Sequence, residues 1–244
     1  MKSDAIFPGG HVGGALLDVS ECVGPTFQGH GPSAGQLAMI IRLSRCNLAC
    51  VGCDVPHTWD WSRFDPRLHS RRFSVDELAS WALGSSAQLV VITGGEPLLQ
   101  QPQLVPLVRC LANAGRWVEI ETNGTCAPEP ALTVVTDLFV VSPRLANAGA
   151  RLVPAQRINP AALEAFVACG QAVFAFAVRD HSELDEIAEL EQQFALAPIW
   201  VMPAGTAATT VLAELSWLAE AAVPRGWHVS TRLQSLLRGG PASQ

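Results

Sequence analysis

The chain has 244 residues, 49% of them apolar and 16% charged, with a formal net charge of −6. That is enough for one large domain with its own core and too apolar for a disordered chain. No apolar run approaches the ~20 residues of a membrane span, and no basic run offers a surface for nucleic acid or anionic membrane. The opening Met1-Lys2-Ser3-Asp4 has no signal-peptide core, which points to the cytoplasm. Lys2 is the sole lysine and tyrosine is absent. A P-loop, a Schiff-base lysine and tyrosine acid–base chemistry are therefore excluded from the body of the chain.

Residues 1–36, rich in glycine, read as a leading hairpin or lid. Short runs rich in Val, Ile, Phe or Trp then predict strands at 37–43, 89–93, 117–122, 138–142, 173–178, 199–202 and 228–232. Each is mostly continuous rather than alternating, the pattern of strands covered on both faces. Helices are predicted between them at 75–84, 102–114, 160–170, 183–195 and 207–222. Ser74 and Ser182, each followed by acidic residues, read as their opening caps. The stretch between Glu121 and Leu138 has room for one helical turn. Six or seven such units mean a parallel α/β sheet with right-handed crossovers. A partial, splayed (βα)6-type barrel fits that count, with a flat doubly wound sheet as the alternative. A single domain spans 1–244, with the barrel core at 37–235, and the end beyond Arg238 looks loose.

Ligands of parallel α/β folds sit at the carboxyl ends of the strands. There the chain carries Ser44-Arg45-Cys46, Gly94-Gly95-Glu96-Pro97, Glu121-Thr122-Asn123-Gly124, Ser142-Pro143-Arg144, Arg179-Asp180, Met202-Pro203 and Arg232-Leu233-Gln234. Three of the seven cysteines crowd into Cys46-x3-Cys50-x2-Cys53. Three thiolates suit a 4Fe–4S cluster with one iron left open; structural zinc with His57 as fourth ligand is the competing reading. The scattered Cys22, Cys110, Cys126 and Cys169 read as small buried residues. Two glycines in the turn after the second predicted strand let a ligand approach the backbone. Glu96 either braces that turn or adds a carboxylate.

The cysteine cluster and Thr93-Gly94-Gly95-Glu96-Pro97 resemble the radical S-adenosylmethionine superfamily. The resemblance narrows to the 7-carboxy-7-deazaguanine synthase family through five further segments: Phe27-Gln28-Gly29-His30-Gly31, Ile41-Arg42-Leu43, the run Cys53 to Asp60, Glu121-Thr122-Asn123-Gly124 and Ser142-Pro143-Arg144. It runs from about residue 20 to 235.

It implies a lyase that contracts the ring of 6-carboxy-5,6,7,8-tetrahydropterin to 7-carboxy-7-deazaguanine with loss of ammonia, using a 5′-deoxyadenosyl radical. This places it in queuosine or another deazapurine pathway. Cys46, Cys50 and Cys53 would hold the cluster. Gly94, Gly95, Glu96, Glu121, Asn123, Ser142, Pro143 and Arg144 would face S-adenosylmethionine. Phe27, Gln28, Gly29, Arg42 and Thr93 would contact the substrate, with Gln28, Arg42 and Thr93 nearest the chemistry. A homodimer and an electron donor such as flavodoxin or ferredoxin are also implied.

The side chains suit these roles. Arg42 offers a cationic fork to a carboxylate, or else is a buried arginine paired with an acid. Gln28 can present a donor and an acceptor to a pterin edge. Trp59 and Trp61 can cover the cluster or merely pack.

The departures from the family fall on the substrate side. The family's magnesium-binding threonine two residues after the last cluster cysteine is Val55, which has no oxygen to offer. An acid is replaced by His30, a lysine by Ala175, a glutamate by Ala204, a histidine by Gln234 and a tryptophan by Arg238. Magnesium use is therefore in doubt, and a relative acting on a different small molecule is the alternative function. Two other readings are a zinc-stabilised binding protein and an enzyme that makes a glycyl radical on a partner.

Overall fold

The computed structural model describes residues 15–149 and 152–238. Nine strands form one sheet: β1 (Leu16–Phe27), β2 (Leu37–Leu43), β3 (Arg71–Ser74), β4 (Leu89–Gly94), β5 (Trp117–Thr122), β6 (Leu138–Val141), β7 (Ala172–Val178), β8 (Ile199–Pro203) and β9 (His228–Val229). Their order is β3-β1-β2-β4-β5-β6-β7-β8-β9. From β2 through β9 every neighbouring pair is parallel, as the alternation of strands and helices predicts.

The described part of the leading segment is no separate lid. Its residues 16–27 are β1, antiparallel to β2, and β3 pairs antiparallel on the far side of β1. Residues 1–14 lie outside the described residues.

The sheet is curled rather than flat. The chain after β9, at one end of the strand order, returns to the turn after β1. Leu233 N donates to Gly29 O at 2.8 Å and Gln234 Nε2 to Phe27 O at 2.8 Å. Backbone contact between segments so far apart in strand order requires the sheet to bend round, as in a splayed barrel.

Side chains alternate across that curl, although the strands read as continuous apolar runs. Met39, Ile41 and Leu43, Val90 and Ile92, Val118 and Ile120, Phe139 and Val141, and Phe174, Phe176 and Val178 join the large core with the helices. The intervening residues face inward. Two small apolar clusters, around Ile40 and Val91 and around Val140, Ala175 and Met202, line that side. Small and branched residues on both faces explain why no alternation is visible in the sequence.

The predicted helices form at Val75–Leu83, Gln101–Asn113, Pro160–Cys169, His181–Phe194 and Ala208–Ala222. Ser74 makes a capping box with Glu77. At the fourth helix the cap is Asp180 rather than Ser182: its carboxylate accepts from both the backbone N–H and the hydroxyl of Ser182. A short final helix, Leu233–Arg238, was not anticipated. No helix among the described residues is long and apolar enough to cross a membrane.

Candidate active site

The cysteine loop follows β2 and is pinned by the glycine turn after β4. Arg45 enters the loop with φ of 74°. Its N–H donates to Thr58 O at 2.6 Å, and its carbonyl accepts from Glu96 N at 2.8 Å. Gly95 donates to Leu43 O at 3.0 Å. A Cβ on Gly95 would stand 2.0 Å from Arg45 O, and one on Gly94, at φ 149°, would stand 2.2 Å from Leu43 O. The pair of glycines is thus required for backbone-to-backbone contact that seats the loop.

Glu96 is the brace of the two roles open to it. It is fully buried. One oxygen accepts from Thr122 Oγ1 (2.8 Å) and Leu98 N (2.9 Å), and the other from Asn123 N (2.7 Å). Burial pushes its carboxyl above the ordinary range, while these hydrogen bonds and Arg144 favour the charged form. Asn123 in turn reaches Asn47 Oδ1 at 3.0 Å and Cys46 Sγ at 3.9 Å. The turns after β2, β4 and β5 therefore form one hydrogen-bonded unit. Ser142, at the end of β6, joins it through its N–H to Thr122 O at 2.8 Å. Pro143 is buried beside it and Arg144 is exposed.

The three thiols are half-buried and free of disulfides. Burial pushes Cys46 up to about 11, and Arg144 draws both Cys46 and Cys50 back down. A desolvated thiol facing a guanidinium is suited to metal, which deprotonates its ligand outright. Sulfur also accepts from Leu48 N (3.4 Å to Cys46) and from Trp59 Nε1 (3.5 Å to Cys53), so Trp59 serves the loop directly while Trp61 is exposed. A cavity of about 750 Å³ opens beside Cys50, Cys53, Trp59 and Gly149.

This donor set fits an iron–sulfur cluster. Among the described residues no three Cys, His, Asp or Glu side chains converge on a point that would hold a single ion. The zinc reading also lacks its fourth ligand, because His57 packs its ring against Phe64 and His69.

Comparison with known proteins agrees with this geometry. Residues 40–135 match the radical SAM superfamily. A 7-carboxy-7-deazaguanine synthase of Hyperthermus butylicus is 34% identical over 181 residues, 73% of each chain. That of Rhodopirellula baltica is 31% identical over 219 residues, 85% of this chain and 81% of the other. The chain belongs to the 7-carboxy-7-deazaguanine synthase family. The crystal structure of QueE from Escherichia coli superposes with a TM-score of 0.67 at 26% identity, covering 89% of this chain and 94% of that one. This synthase-family chain is accordingly a radical S-adenosylmethionine enzyme that uses a 4Fe–4S cluster and S-adenosylmethionine.

The expected substrate residues meet on the inner face of the sheet in this family member. Arg42 and Thr93 are register partners on β2 and β4, and Thr93 lies beside Glu121 on β5, where its hydroxyl favours the charged carboxylate. Gln28 does not present a free amide. Its Nε2 donates to Glu119 Oε1 (2.7 Å) and Glu121 Oε1 (2.8 Å), and its Oε1 accepts from Gly29 N (2.7 Å). Gly29 is buried under Gln234, and Phe27 is exposed. Arg42 is paired with an acid, its Nε on Glu21 Oε1 at 2.5 Å.

Three residues of this region were given no role from the sequence. Glu119 is fully buried, and burial together with Glu121 raises its carboxyl to about 7; Ser33 Oγ also donates to it. For Glu121, burial acts upward but His30, Thr93, Gln28 and Arg42 outweigh it and leave the group below the ordinary range. An acid two residues before Glu121 on a central strand was the available signal, since such positions are rarely charged. Ser33 and Glu21 carried no signal, as their partners lie on other elements.

Proposed function

We propose that the enzyme converts 6-carboxy-5,6,7,8-tetrahydropterin to 7-carboxy-7-deazaguanine, the product for which its relatives are named. The observation that carries this reading is the polar patch of Arg42, Thr93 and Glu121 on the inner face, at the same strand ends as the cysteine loop. When bound, the cluster supplies the electron that cleaves S-adenosylmethionine to its radical fragment. The chain's own part is to hold and orient. Thr93 and the ionised Glu121 offer a hydroxyl and an acceptor to the N–H groups of the heterocycle. Gln28, fixed by its three hydrogen bonds, holds Glu121 and the 28–36 turn in register. Arg42, steadied at Nε by Glu21, keeps its terminal nitrogens for the substrate's anionic side. Gly95, Asn123, Ser142 and Arg144 are the residues that would hold S-adenosylmethionine.

A second reading, the same radical chemistry on another small molecule, is favoured by the apolar inner wall. Ala175 is buried among Val140, Val173 and Met202, so no cation stands there. One assay separates the two. Anaerobically reconstituted protein is given the carboxypterin, S-adenosylmethionine and dithionite, and the products are identified by mass spectrometry. 7-Carboxy-7-deazaguanine is the expected product; 5′-deoxyadenosine without it moves the assignment to a different substrate.

A single domain, a homodimer, a cytoplasmic location and a flavodoxin- or ferredoxin-type donor belong to the same proposal. The homodimer and the donor are supported by the family resemblance, and the single domain by the length of the chain.

A further inference from the structure

The loop that follows Cys53 does not fit magnesium. Magnesium takes oxygen ligands in near-octahedral geometry, and the half-buried Val55 offers no side-chain oxygen. Both neighbours are engaged elsewhere, Asp54 through one of its two carboxylate oxygens. Thr58 is fully buried and its hydroxyl donates to Val55 O at 2.8 Å. Asp54 accepts a hydrogen bond at 3.0 Å from Arg232, 178 residues away on the segment after β9.

Arg232 is placed as a ligand-binding cation would be. Its side chain is only 19% exposed. Its Nε is buried and has no hydrogen-bond partner among the described residues, and the same holds for Thr231 Oγ1 and His30 Nδ1. These three atoms belong to two segments joined by backbone hydrogen bonding from Leu233 N to Gly29 O. Buried polar atoms are rarely left unpaired, and an unpaired donor calls for an acceptor. A guanidinium with one edge on Asp54 and an unpartnered Nε is suited to donate there to one carboxylate oxygen.

We propose that Arg232 supplies, in this chain, the positive charge that a divalent cation supplies at this loop in the family. Its guanidinium meets the carboxylate of an anionic heterocyclic substrate, steadied by Asp54. This rests on the carboxypterin reading above for the substrate, but not for the exclusion of the metal.

The test uses chelator-treated holoenzyme. Binding of the carboxypterin and of tetrahydropterin, which lacks the carboxylate, is measured by calorimetry with and without magnesium, and a manganese titration is followed by electron paramagnetic resonance. The unmodified protein is expected to bind the carboxypterin equally well with and without magnesium and to show no tight manganese site. Arg232→Gln is expected to weaken carboxypterin binding about 10- to 100-fold while leaving tetrahydropterin binding unchanged. Arg232→Lys, which keeps the charge but not the fork, is expected to fall between and serves if the glutamine variant fails to fold. A strong magnesium requirement in the unmodified protein, or carboxypterin binding that both variants leave intact, overturns the proposal. Failure of the substrate reading shows separately, as an unmodified protein that neither binds nor converts the carboxypterin. In that event Arg232's role toward the carboxypterin is overturned with it, and the manganese titration decides the exclusion of the metal: a tight site overturns it, and the absence of one upholds it.

Discussion

Gly95 lies so close to Arg45 that a Cβ on it would stand 2.0 Å from the Arg45 carbonyl oxygen and 3.0 Å from the Cβ of Cys46. The contact is with backbone, which cannot swing aside as a side-chain tip can. Gly95→Ala should therefore displace the loop entry and, with it, the first thiol. Misplacement by about an ångström costs on the order of a hundredfold in a positioned reaction. Iron content and 5′-deoxyadenosine yield after dithionite should fall together, and normal values for both would show that the turn can yield.

Cys46, Cys50 and Cys53 are each expected to be indispensable. Replacing any one with Ala should bring 5′-deoxyadenosine to background and bleach the visible absorption of the reconstituted protein. Cys110 and Cys169 pack at the edge of the core and should accept Ser with the cluster retained. Full cofactor cleavage by Cys50→Ala would mean that the ligands are misassigned.

Glu119 should make stability depend on pH. Its carboxyl ionises near the ordinary 4.5 when unfolded and at about 7 when folded. The folded state therefore holds the proton more tightly. Its stabilising effect is complete below pH 4.5 and is lost as pH rises through about 7. The difference is worth roughly 3 kcal/mol, an upper bound because the charge is shared with Glu121. Glu119→Gln keeps a neutral group beside Ser33 and Gln28. Melting curves between pH 5 and 8 should show a flatter profile for it, with its midpoint several degrees above that of the parent at pH 8. Parallel profiles for the two proteins would place the titration elsewhere.

Arg42→Lys should weaken substrate binding by about 1.5–3 kcal/mol, since a point charge does not reproduce a guanidinium fork. Iron content and S-adenosylmethionine binding should be unchanged. Loss of the folded protein would show instead that the pairing with Glu21 is Arg42's main task.

The parallel strands, the five longer helices, the cysteine loop and the glycine turn were legible in the sequence, whereas the antiparallel β3 was not. Each is set by residues within a few positions of one another: a run of branched side chains, a cap such as Ser74, or three thiols in eight residues. What the inner side chains do was decided by the tertiary structure. Glu96 braces β5, Arg42 rests on Glu21, Gln28 is held by Glu119 and Glu121, and Asp54 is tied to Arg232. These partners lie from 21 to 178 residues apart; strand pairing joins Arg42 to Glu21, and the curl of the sheet brings Arg232 to Asp54. A polar side chain buried on that face takes whichever partner the curl delivers, because leaving it unpaired costs more than any local preference supplies.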